Sequence, residues 1–362
     1  MSKSIHIGVI LCLFMSGLGR GSTEFVRIER LSDRVILGYW LGTGRCNLVA
    51  VKSQKGLAVI DTEMSPRIMA PIKESLEKAF GRDDWAYVIN THAHMHHAGG
   101  NCLFKDAVII GHDNLPKDMQ WLIQKQVDET WKRKELDNNA ETIRNLQAML
   151  PKVAGSRLQT GRIQGEIKFF QLNTQDMEDG FEVVKPTVTF SDKYTLELGD
   201  LRLEMVYFGK GHSLSDILIY IPQEGVLVTG AIVYQRGHLP GITESAELKD
   251  VHRYIAVLNE FLEEVVKLNY VVASHSFPLA RRDLKYVRDY YQTMLDGIRS
   301  AQQEGLTLEQ AGERFAVRKK FPRFFQRQSA QWSKAKQDRN INVLWNLLKE
   351  ANQQSESEES RK

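Results

Sequence analysis

Four histidines fall within six residues of this chain, in the segment THAHMHHAGG. They are His92, His94, His96 and His97. The segment follows the apolar run Trp85 to Asn90, a predicted β-strand, and Gly99 and Gly100 then allow the backbone to turn closely into a helix. A single histidine usually makes a structural hydrogen bond, but four at one strand end favour a metal site. Because α/β sheets place ligands at the carboxyl ends of their strands, the pattern predicts an α/β fold that holds a metal.

Two further histidines each follow a predicted strand far downstream. His212 lies in FGKGHSLSD, and His275 lies in ASHS after the apolar run Tyr270 to Ala273. Neutral imidazole is a common zinc ligand, and a zinc site takes several such ligands. We therefore expect six of the ten histidines to converge on one metal centre.

Short apolar runs alternate with turn signals in the first third of the chain. The predicted strands are Val35 to Trp40, Cys46 to Ser53, Gly56 to Thr62 and Ala107 to Gly111. An amphipathic helix begins after Ser65, a good N-cap residue, with Pro66 at its first position. This succession of strands and helices is typical of an α/β fold.

From residue 114 to about 185, amphipathic helices replace the strand pattern. Met119, Leu122, Ile123, Val127 and Trp131 form one apolar stripe. Ile143, Leu146 and Leu150 form a second stripe after the charged segment KRKELD, which is interpreted as a turn. Such an inserted helical pair could be a lid, a homo-oligomer surface or helices that only pack on the core. Core packing or a contact between copies of the chain is the simpler expectation.

Strands return after Pro186, and Val226 to Tyr234 is predicted to be one of them. A last long helix begins near Arg281, and beyond it residues 318–327 (RKKFPRFFQR) alternate basic and aromatic side chains. We expect Phe321, Phe324 and Phe325 to pack on the body while the charges face water, rather than a membrane or polyanion surface. The polar end, NQQSESEESRK, is predicted to be disordered.

The amino terminus is typical of an export signal. Lys3 precedes an uncharged, mostly apolar run from Ile5 to Leu18, which is too short to span a bilayer comfortably. Gly17, Gly19 and Gly21 supply small residues for a cleavage site. We therefore expect residues 1–21 to be removed from a periplasmic or secreted protein that has no stable membrane span.

The balance of charged residues bears on which partners the protein could bind. The chain has 48 Lys and Arg against 45 Asp and Glu, and a net charge of +3 does not suggest a nucleic-acid partner. A small-molecule substrate is expected instead.

Cys46 and Cys102 remain after signal removal, and their spacing matches no metal motif, so we expect two small buried side chains rather than a pair.

The ordered motifs resemble the metallo-β-lactamase-fold superfamily, whose signature is HxHxDH followed by distant single ligands. THAHMHHAGG, GHSLSD and the strand-end His275 carry the resemblance, together with LAVIDTE, which contains Asp61, and VLVTGAIVY. The resemblance extends roughly from Val26 to Ser300. It implies an α/β fold, a four-layer αβ/βα sandwich with a groove for two metals. The resemblance does not cover the helical insertion, which the residue pattern predicts.

Carried over by position, the family pattern assigns the ligands. His92, His94 and His212 would hold a first metal, and His97 and His275 would contribute to a second. Together with the residue patterns above, the expected domains are a signal peptide at 1–21, a metallo-β-lactamase-like domain at 22–303 with a helical insertion at 113–186, and a C-terminal helical extension with a polar tail at 304–362.

Two positions depart from the family pattern. The signature Asp is His96, and the position of a bridging Asp in glyoxalase II-like and diiron members is Ala231. The ligand count is therefore closer to that of a lactamase site. With no anionic protein ligand, we expect one tightly bound Zn2+ and a second that is bound more weakly, and another divalent metal could replace zinc.

The expected function is metal-dependent hydrolysis of an ester, an amide or lactam, or a related small-molecule bond by a zinc-bound hydroxide. Asp61 would orient a ligand imidazole, and His96 would bind the second metal or act as an acid/base beside it. Asp216 could support the site or cap a strand. The alternatives are a hydrolysis-deficient metal-binding member that serves binding or assembly, and a mononuclear iron enzyme.

Overall fold

The computed structural model of the protein describes residues 24–42, 46–233, 239–315, 317–325 and 330–359. The expected signal peptide, residues 1–21, lies outside the described residues, as does Tyr234. Within the described ranges, no helix combines the length and the apolar character needed to cross a membrane.

Two β-sheets with helices on their outer faces make up the described chain. The strands are β1 (Val26–Arg30), β2 (Val35–Trp40), β3 (Asn47–Ser53), β4 (Gly56–Ile60), β5 (Trp85–Ile89), β6 (Val108–His112), β7 (Val188–Phe190), β8 (Lys193–Glu197), β9 (Arg202–Tyr207), β10 (Ile217–Ile221), β11 (Val226–Val228) and β12 (Tyr270–Val272). The helices are α1 (Pro66–Phe80), α2 (Met95–Ala98), α3 (Leu115–Val127), α4 (Glu129–Val153), α5 (Arg157–Asp179), α6 (Leu248–Leu262), α7 (Arg281–Gln303), α8 (Leu308–Arg314), α9 (Val317–Lys320) and α10 (Ala330–Glu359).

The strand order brings the histidine-bearing loops to one edge of the molecule. The first sheet runs β1 to β7 in chain order, and the second runs β12-β11-β10-β9-β8. Strands β4, β5, β6 and β7 pair in parallel, and β12 is parallel to β11. Because parallel strands end at the same edge of a sheet, the loops after β4 and β5 lie side by side.

The apolar side chains alternate between two faces of each sheet, as a strand period of two requires. In β3, Val49 and Val51 point into the core between the sheets, whereas Leu48 and Ala50 point toward α1. Helices α6 and α7 pack on the outer face of the second sheet. The predicted four-layer αβ/βα sandwich is therefore confirmed, with the helical insertion between β6 and β7.

The insertion contains α3, α4 and α5 rather than the predicted pair. The turn predicted at KRKELD is wrong, since these residues lie inside α4. The boundary between two helices lies earlier, at Asp128. Its carboxylate accepts a hydrogen bond from the Trp131 N–H at 3.0 Å. Val127 ends α3 and is 76% exposed, so the proposed apolar stripe is not continuous. Capping at Asp128 determined the helix boundary here, not hydrophobic periodicity.

Helix α5 connects the insertion to the first sheet and to α1 through side-chain contacts. The Trp40 Nε1 donates to the Gly165 carbonyl at 2.7 Å, and Arg67 of α1 pairs with Asp176 at 2.6 Å. A Cβ on Gly165 would lie 2.2 Å from the Leu41 carbonyl oxygen, so only glycine permits this approach. The insertion is thus built onto the outer αβ layer.

The C-terminal segment packs on the body. Phe321 and Phe324 are 6% and 0% exposed, as predicted. The expectation of a disordered polar end is wrong for its described residues, because α10 continues to Glu359. The Asn352 side-chain amide donates to Gln302 of α7 at 3.2 Å, which is a tertiary contact within that polar stretch.

The strand predicted from Val226 to Tyr234 is shorter than expected, since β11 ends at Val228. Gly230 has a φ of +54°, a left-handed conformation that ends the extended backbone. Its position also places the chain against Thr91, because a Cβ on Gly230 would lie 3.0 Å from the Thr91 Cβ. The chain after β11 therefore turns beside the histidine loop.

Candidate metal centre

The first histidine group brings three ring nitrogens together. The Nε2 of His92 lies 3.1 Å from Nδ1 of His94, and that Nδ1 lies 2.9 Å from Nε2 of His212. These ligand atoms all lie within 4.8 Å of one another. They are the three residues assigned to a first metal from the sequence, and the structure brings them together with a specific nitrogen of each ring facing the others.

A second group shares one member with the first. Ligand atoms of His92, His96 and His97 also lie within 4.8 Å of one another. The ring of His275 lies beside this group, with its centroid 5.0 Å from that of His96 and 5.4 Å from that of His97. All six predicted histidines thus meet in one cluster, and His96 faces into it.

Helix α2 and the glycines after it explain how the four clustered histidines can turn so tightly. Helix α2 begins directly after His94, and Gly99 and Gly100 then press against the backbone of the preceding β4–α1 loop. A Cβ on Gly99 would lie 1.9 Å from the Met64 carbonyl oxygen, and one on Gly100 would lie 2.1 Å from that of Thr62. Larger residues would push this helix, and with it His96, out of position.

Asp61 fixes the tautomers of two imidazoles. Its carboxylate accepts hydrogen bonds from Thr91 N and Thr91 Oγ1, both at 2.8 Å, and its Oδ2 lies 2.8 Å from Nδ1 of His97. The two hydrogen bonds from Thr91 favour the ionised form of Asp61, which can only accept, so we assign the His97 proton to Nδ1. Thr91 Oγ1, having donated to Asp61, then accepts from Nδ1 of His92 at 3.0 Å. The lone pair of His92 is left on Nε2, the atom that faces His94.

The loop that carries Asp61 is buried and strained. Asp61 and Glu63 have φ angles of 66° and 62°, which side-chain-bearing residues rarely adopt. Burial raises the pKa of Asp61 to about 7, although the hydrogen bonds from Thr91 oppose that shift. Burial also raises the pKa of Glu63 well above its usual range, and within the described chain neither carboxyl oxygen of Glu63 has a hydrogen-bond partner.

Burial favours the neutral form of five of the six imidazoles in the cluster. Burial lowers the pKa of His92, His94, His96, His97 and His212. The charges that neighbouring histidines would carry lower the pKa of most of them further. A neutral imidazole offers a lone pair, so these donors fit a divalent cation of the zinc type.

Asp216 holds the backbone of the His212 loop rather than its ring. Its carboxylate accepts from His212 N at 2.6 Å, Ser213 N at 2.7 Å and Ser213 Oγ at 2.9 Å. Asp216 thus supports the site through the His212 backbone and also directly precedes β10, so the two roles left open by the sequence are compatible.

The helical insertion supports the same loop, which sequence analysis did not predict. Asp118 of α3 accepts from Leu214 N at 3.1 Å and from Ser215 Oγ at 2.9 Å. Asn114 donates to the Leu214 carbonyl at 2.9 Å. The start of the insertion thus helps to hold the loop that carries His212.

Cys46 lies at the site. Its Sγ is 3.0 Å from the His96 carbonyl oxygen and 3.5 Å from Nδ1 of His97. Cys46 and Cys102 are not joined by a disulfide, as expected, but Cys102 is half-buried rather than buried. We expected Cys46 to be a small buried side chain. Its two polar contacts were not expected, because no local sequence signal indicates them.

Carboxylates are missing from the two ligand groups. Both groups found in the described chain consist of histidines alone. Ala231, at the position that resembles the family's bridging Asp, is 2% exposed and lies next to Gly230 beside Thr91. The donor set is therefore uncharged.

Comparison with known proteins agrees with this geometry. A sequence model of the metallo-beta-lactamase superfamily matches residues 41–275. Two relatives named metallo-beta-lactamase type 2, from Bacillus sp. (strain 170) and Bacillus cereus, are 23% and 25% identical over 269 residues, which are 71% of this chain and 78% of each relative. The solved stereoselective inverting sec-alkylsulfatase Pisa1 from Pseudomonas sp. has a TM-score of 0.54 at 15% identity, over 88% of this chain and 49% of that chain. This chain spans about half the length of the sulfatase, and the likeness concerns the fold.

Proposed function

Because the chain belongs to the metallo-β-lactamase superfamily, we propose that it is a metal-dependent hydrolase whose first metal is held by His92, His94 and His212. The convergence of Nε2 of His92 and Nε2 of His212 on Nδ1 of His94 carries this proposal. The bond cleaved is an ester, an amide or lactam, or a related bond of a small molecule.

The donor set fits a catalytic zinc ion. Three neutral imidazoles leave a fourth tetrahedral position open, as catalytic zinc sites require. When bound, such an ion would polarise the substrate and lower the pKa of a water molecule. The protein's own contribution is to keep each ligand nitrogen unprotonated, and Asp61 does so for His97 directly and for His92 through Thr91.

His96 supplies the second proposed role. Its ring lies 4.3 Å from that of His97 and 5.6 Å from that of His94, measured between centroids. Burial keeps the His96 pKa well below its usual value, so the ring is neutral and able either to bind a second, weaker ion or to accept a proton beside it.

Two other functions are consistent with the fold. A member that binds metal without hydrolysis would serve binding or assembly. A mononuclear iron enzyme is less well supported, because such sites typically combine two histidines with a carboxylate, whereas the ligand groups of the described chain contain histidines alone.

The test combines elemental analysis of purified full-length protein with chromogenic ester, lactam and sulfate-ester substrates. We expect at least one zinc per chain, together with hydrolysis that a chelator abolishes and zinc restores. Metal without hydrolysis of any substrate would favour the binding function. Iron as the bound metal, with zinc unable to restore activity, would favour the iron enzyme.

A further inference from the structure

A cavity beside His212 is lined in part by residues of α10. The cavity has a volume of about 440 Å³, which is in the range of small-molecule sites. His212, Lys336 and Arg339 all line it. Both basic residues are outside residues 41–275, the part of the chain that matches the superfamily.

The position of α10 is fixed at this point by a buried amide. Asn340 is fully buried, accepts from Ile242 N at 3.1 Å, and donates to the Pro240 carbonyl at 2.7 Å and to Tyr290 Oη at 2.8 Å. Residues four apart lie on the same helix face, so the Asn340 anchor also sets the position of Lys336.

The amine of Lys336 lies over the loop that borders His212. A Cβ on Gly241 would be 3.5 Å from Lys336 Cε and 3.8 Å from Nζ. Burial, and then the neighbouring charge of Arg339, lower the pKa of Lys336 to about 8. A partly buried ammonium beside a second cation is poorly solvated, so a bound anion would stabilise it.

The remaining polar groups of the cavity are compatible with an anion. Thr243 and Ser245 contribute hydroxyl groups to the lining. Glu244 is the acidic residue among the lining residues, and it is exposed, as Arg339 is, whereas Lys336 is partly buried. The side of the cavity formed by α10 is therefore positively charged.

We propose that Lys336 and Arg339 form an oxyanion-binding subsite, so that the substrates of this protein are small molecules with an anionic group close to the bond that is cleaved. The assignment of this anion to a substrate rests on the proposed function, whereas the binding of an oxyanion at α10 does not. Carboxylate, sulfate and phosphate groups share the required chemistry. The ammonium of Lys336 and the guanidinium of Arg339 would donate to the oxyanion while the histidine cluster faces the neighbouring bond.

The first test measures oxyanion binding by the full-length, metal-loaded protein. Acetate, sulfate and inorganic phosphate are titrated by calorimetry into wild type, Lys336→Met, Arg339→Gln and the control Lys334→Met. Lys334 is an exposed lysine of the same helix that pairs with Asp338. We expect the affinity for the preferred oxyanion to fall about tenfold to a hundredfold in Lys336→Met, to fall in Arg339→Gln, and to stay unchanged in Lys334→Met.

The outcomes separate this subsite from the proposed hydrolysis. Equal affinities in wild type and both cavity variants, or no oxyanion binding by wild type, would overturn the subsite. Anions bound at the metal alone would give the first of these results. With hydrolysable pairs that differ in one carboxylate, Lys336→Met should raise KM for the anionic member alone. If wild type cleaves neither member, the proposed hydrolase function fails while the binding result stands.

Discussion

The Nδ1 of His94 lies 2.9 Å from the Nε2 of His212, although 118 residues separate the two histidines in sequence. Both rings are neutral because burial lowers the pKa of each. A second strand-end imidazole, His92, approaches the same Nδ1 at 3.1 Å. Three convergent, unprotonated nitrogens in a protein interior are the arrangement that a divalent cation stabilises.

Replacing His94 by Ala should therefore remove the tightly bound metal. Nε2 of His92 and Nε2 of His212 both approach Nδ1 of His94. Without His94, the site therefore keeps two of its three nitrogen ligands. We expect zinc per chain, measured by elemental analysis after dialysis, to fall by about one ion, with affinity lowered by more than about a hundredfold. His252→Ala, which changes an exposed histidine of α6, is the matched control and should keep its zinc. Unchanged metal content in His94→Ala would contradict the assignment.

Replacing Asp61 by Asn should weaken metal binding without removing any ligand. The amide would present donors where the carboxylate now accepts from Thr91 and His97, so the imidazole tautomers would no longer be fixed. We expect zinc affinity, measured by competition with a fluorescent chelator, to fall about tenfold to a hundredfold. Asp113→Asn alters an exposed carboxylate and should behave as wild type. Equal affinity in Asp61→Asn and wild type would show that the carboxylate only supports the fold.

Removing the Asp118 carboxylate should loosen the His212 loop. Asp118→Ala deletes acceptors for Leu214 N and Ser215 Oγ, and hydrogen bonds to a charged group contribute about 1.5–3 kcal/mol. We expect a lower free energy of urea unfolding and reduced zinc affinity together. Asp137→Ala, at an exposed position of α4, should change neither quantity. A stability loss with unaltered zinc affinity would mean that the insertion does not position His212.

Local signals were sufficient to predict the histidine cluster and its strand. The period of two in the strands, Pro66 at the helix start, and the Gly99–Gly100 pair are all determined within a few residues. Asp128 also carried a local capping signal, but the charged segment KRKELD was interpreted as a turn. Those charges lie in a long, partly exposed helix, where charge and helical structure are compatible.

Contacts between distant segments could not be predicted in the same way. Asp118 reaches Leu214 from another layer, and Lys336 borders His212 from a helix beyond the region of family resemblance. Cys46 approaches His97 from the start of β3. Each contact depends on how layers pack, which hydrophobic periodicity does not specify, so these residues had no signal that distinguished them from other surface or core positions.

The pH dependence of stability should reveal the buried ammonium of Lys336. Its pKa in the folded protein is about 8, below the ordinary 10.5, so the unfolded chain binds more protons between these values. Stability contributed by this residue therefore rises as pH increases from about 8 to 10.5, and the charged lysine is destabilising below pH 8. Replacing it by Met should raise the free energy of unfolding at pH 7 by about 1–3 kcal/mol in the absence of anions.

The measurement compares urea unfolding of Lys336→Met and wild type at several pH values. The difference should shrink as pH approaches 10.5, whereas Lys334→Met, at an exposed ion pair, should differ from wild type only slightly. A constant difference for Lys336→Met would show that the lysine is solvated like a surface residue.

Replacing His96 by a charged residue should change how tightly a second ion is held. Its ligand atom lies within 4.8 Å of those of His92 and His97, so a second ion would sit among neutral rings, with Ala231 supplying no carboxylate. Two divalent ions a few ångströms apart repel, and one negative charge at this position would offset that repulsion by about 4 kcal/mol before the lost imidazole bond is counted. His96→Asp should therefore tighten the second ion by about one to two orders of magnitude, since each 1.4 kcal/mol is tenfold.

Zinc titration by calorimetry into chelator-treated protein measures this effect. Wild type should show one tight and one weak ion, and His96→Asp should show two tight ions. His96→Asn is the matched control, because it has nearly the shape of the Asp variant without the charge, and its second ion should be as weak as in wild type or weaker. Two equally tight ions in wild type, or a single ion in both wild type and His96→Asp, would contradict the charge argument. A gain in His96→Asn equal to that in His96→Asp would assign the effect to side-chain size instead.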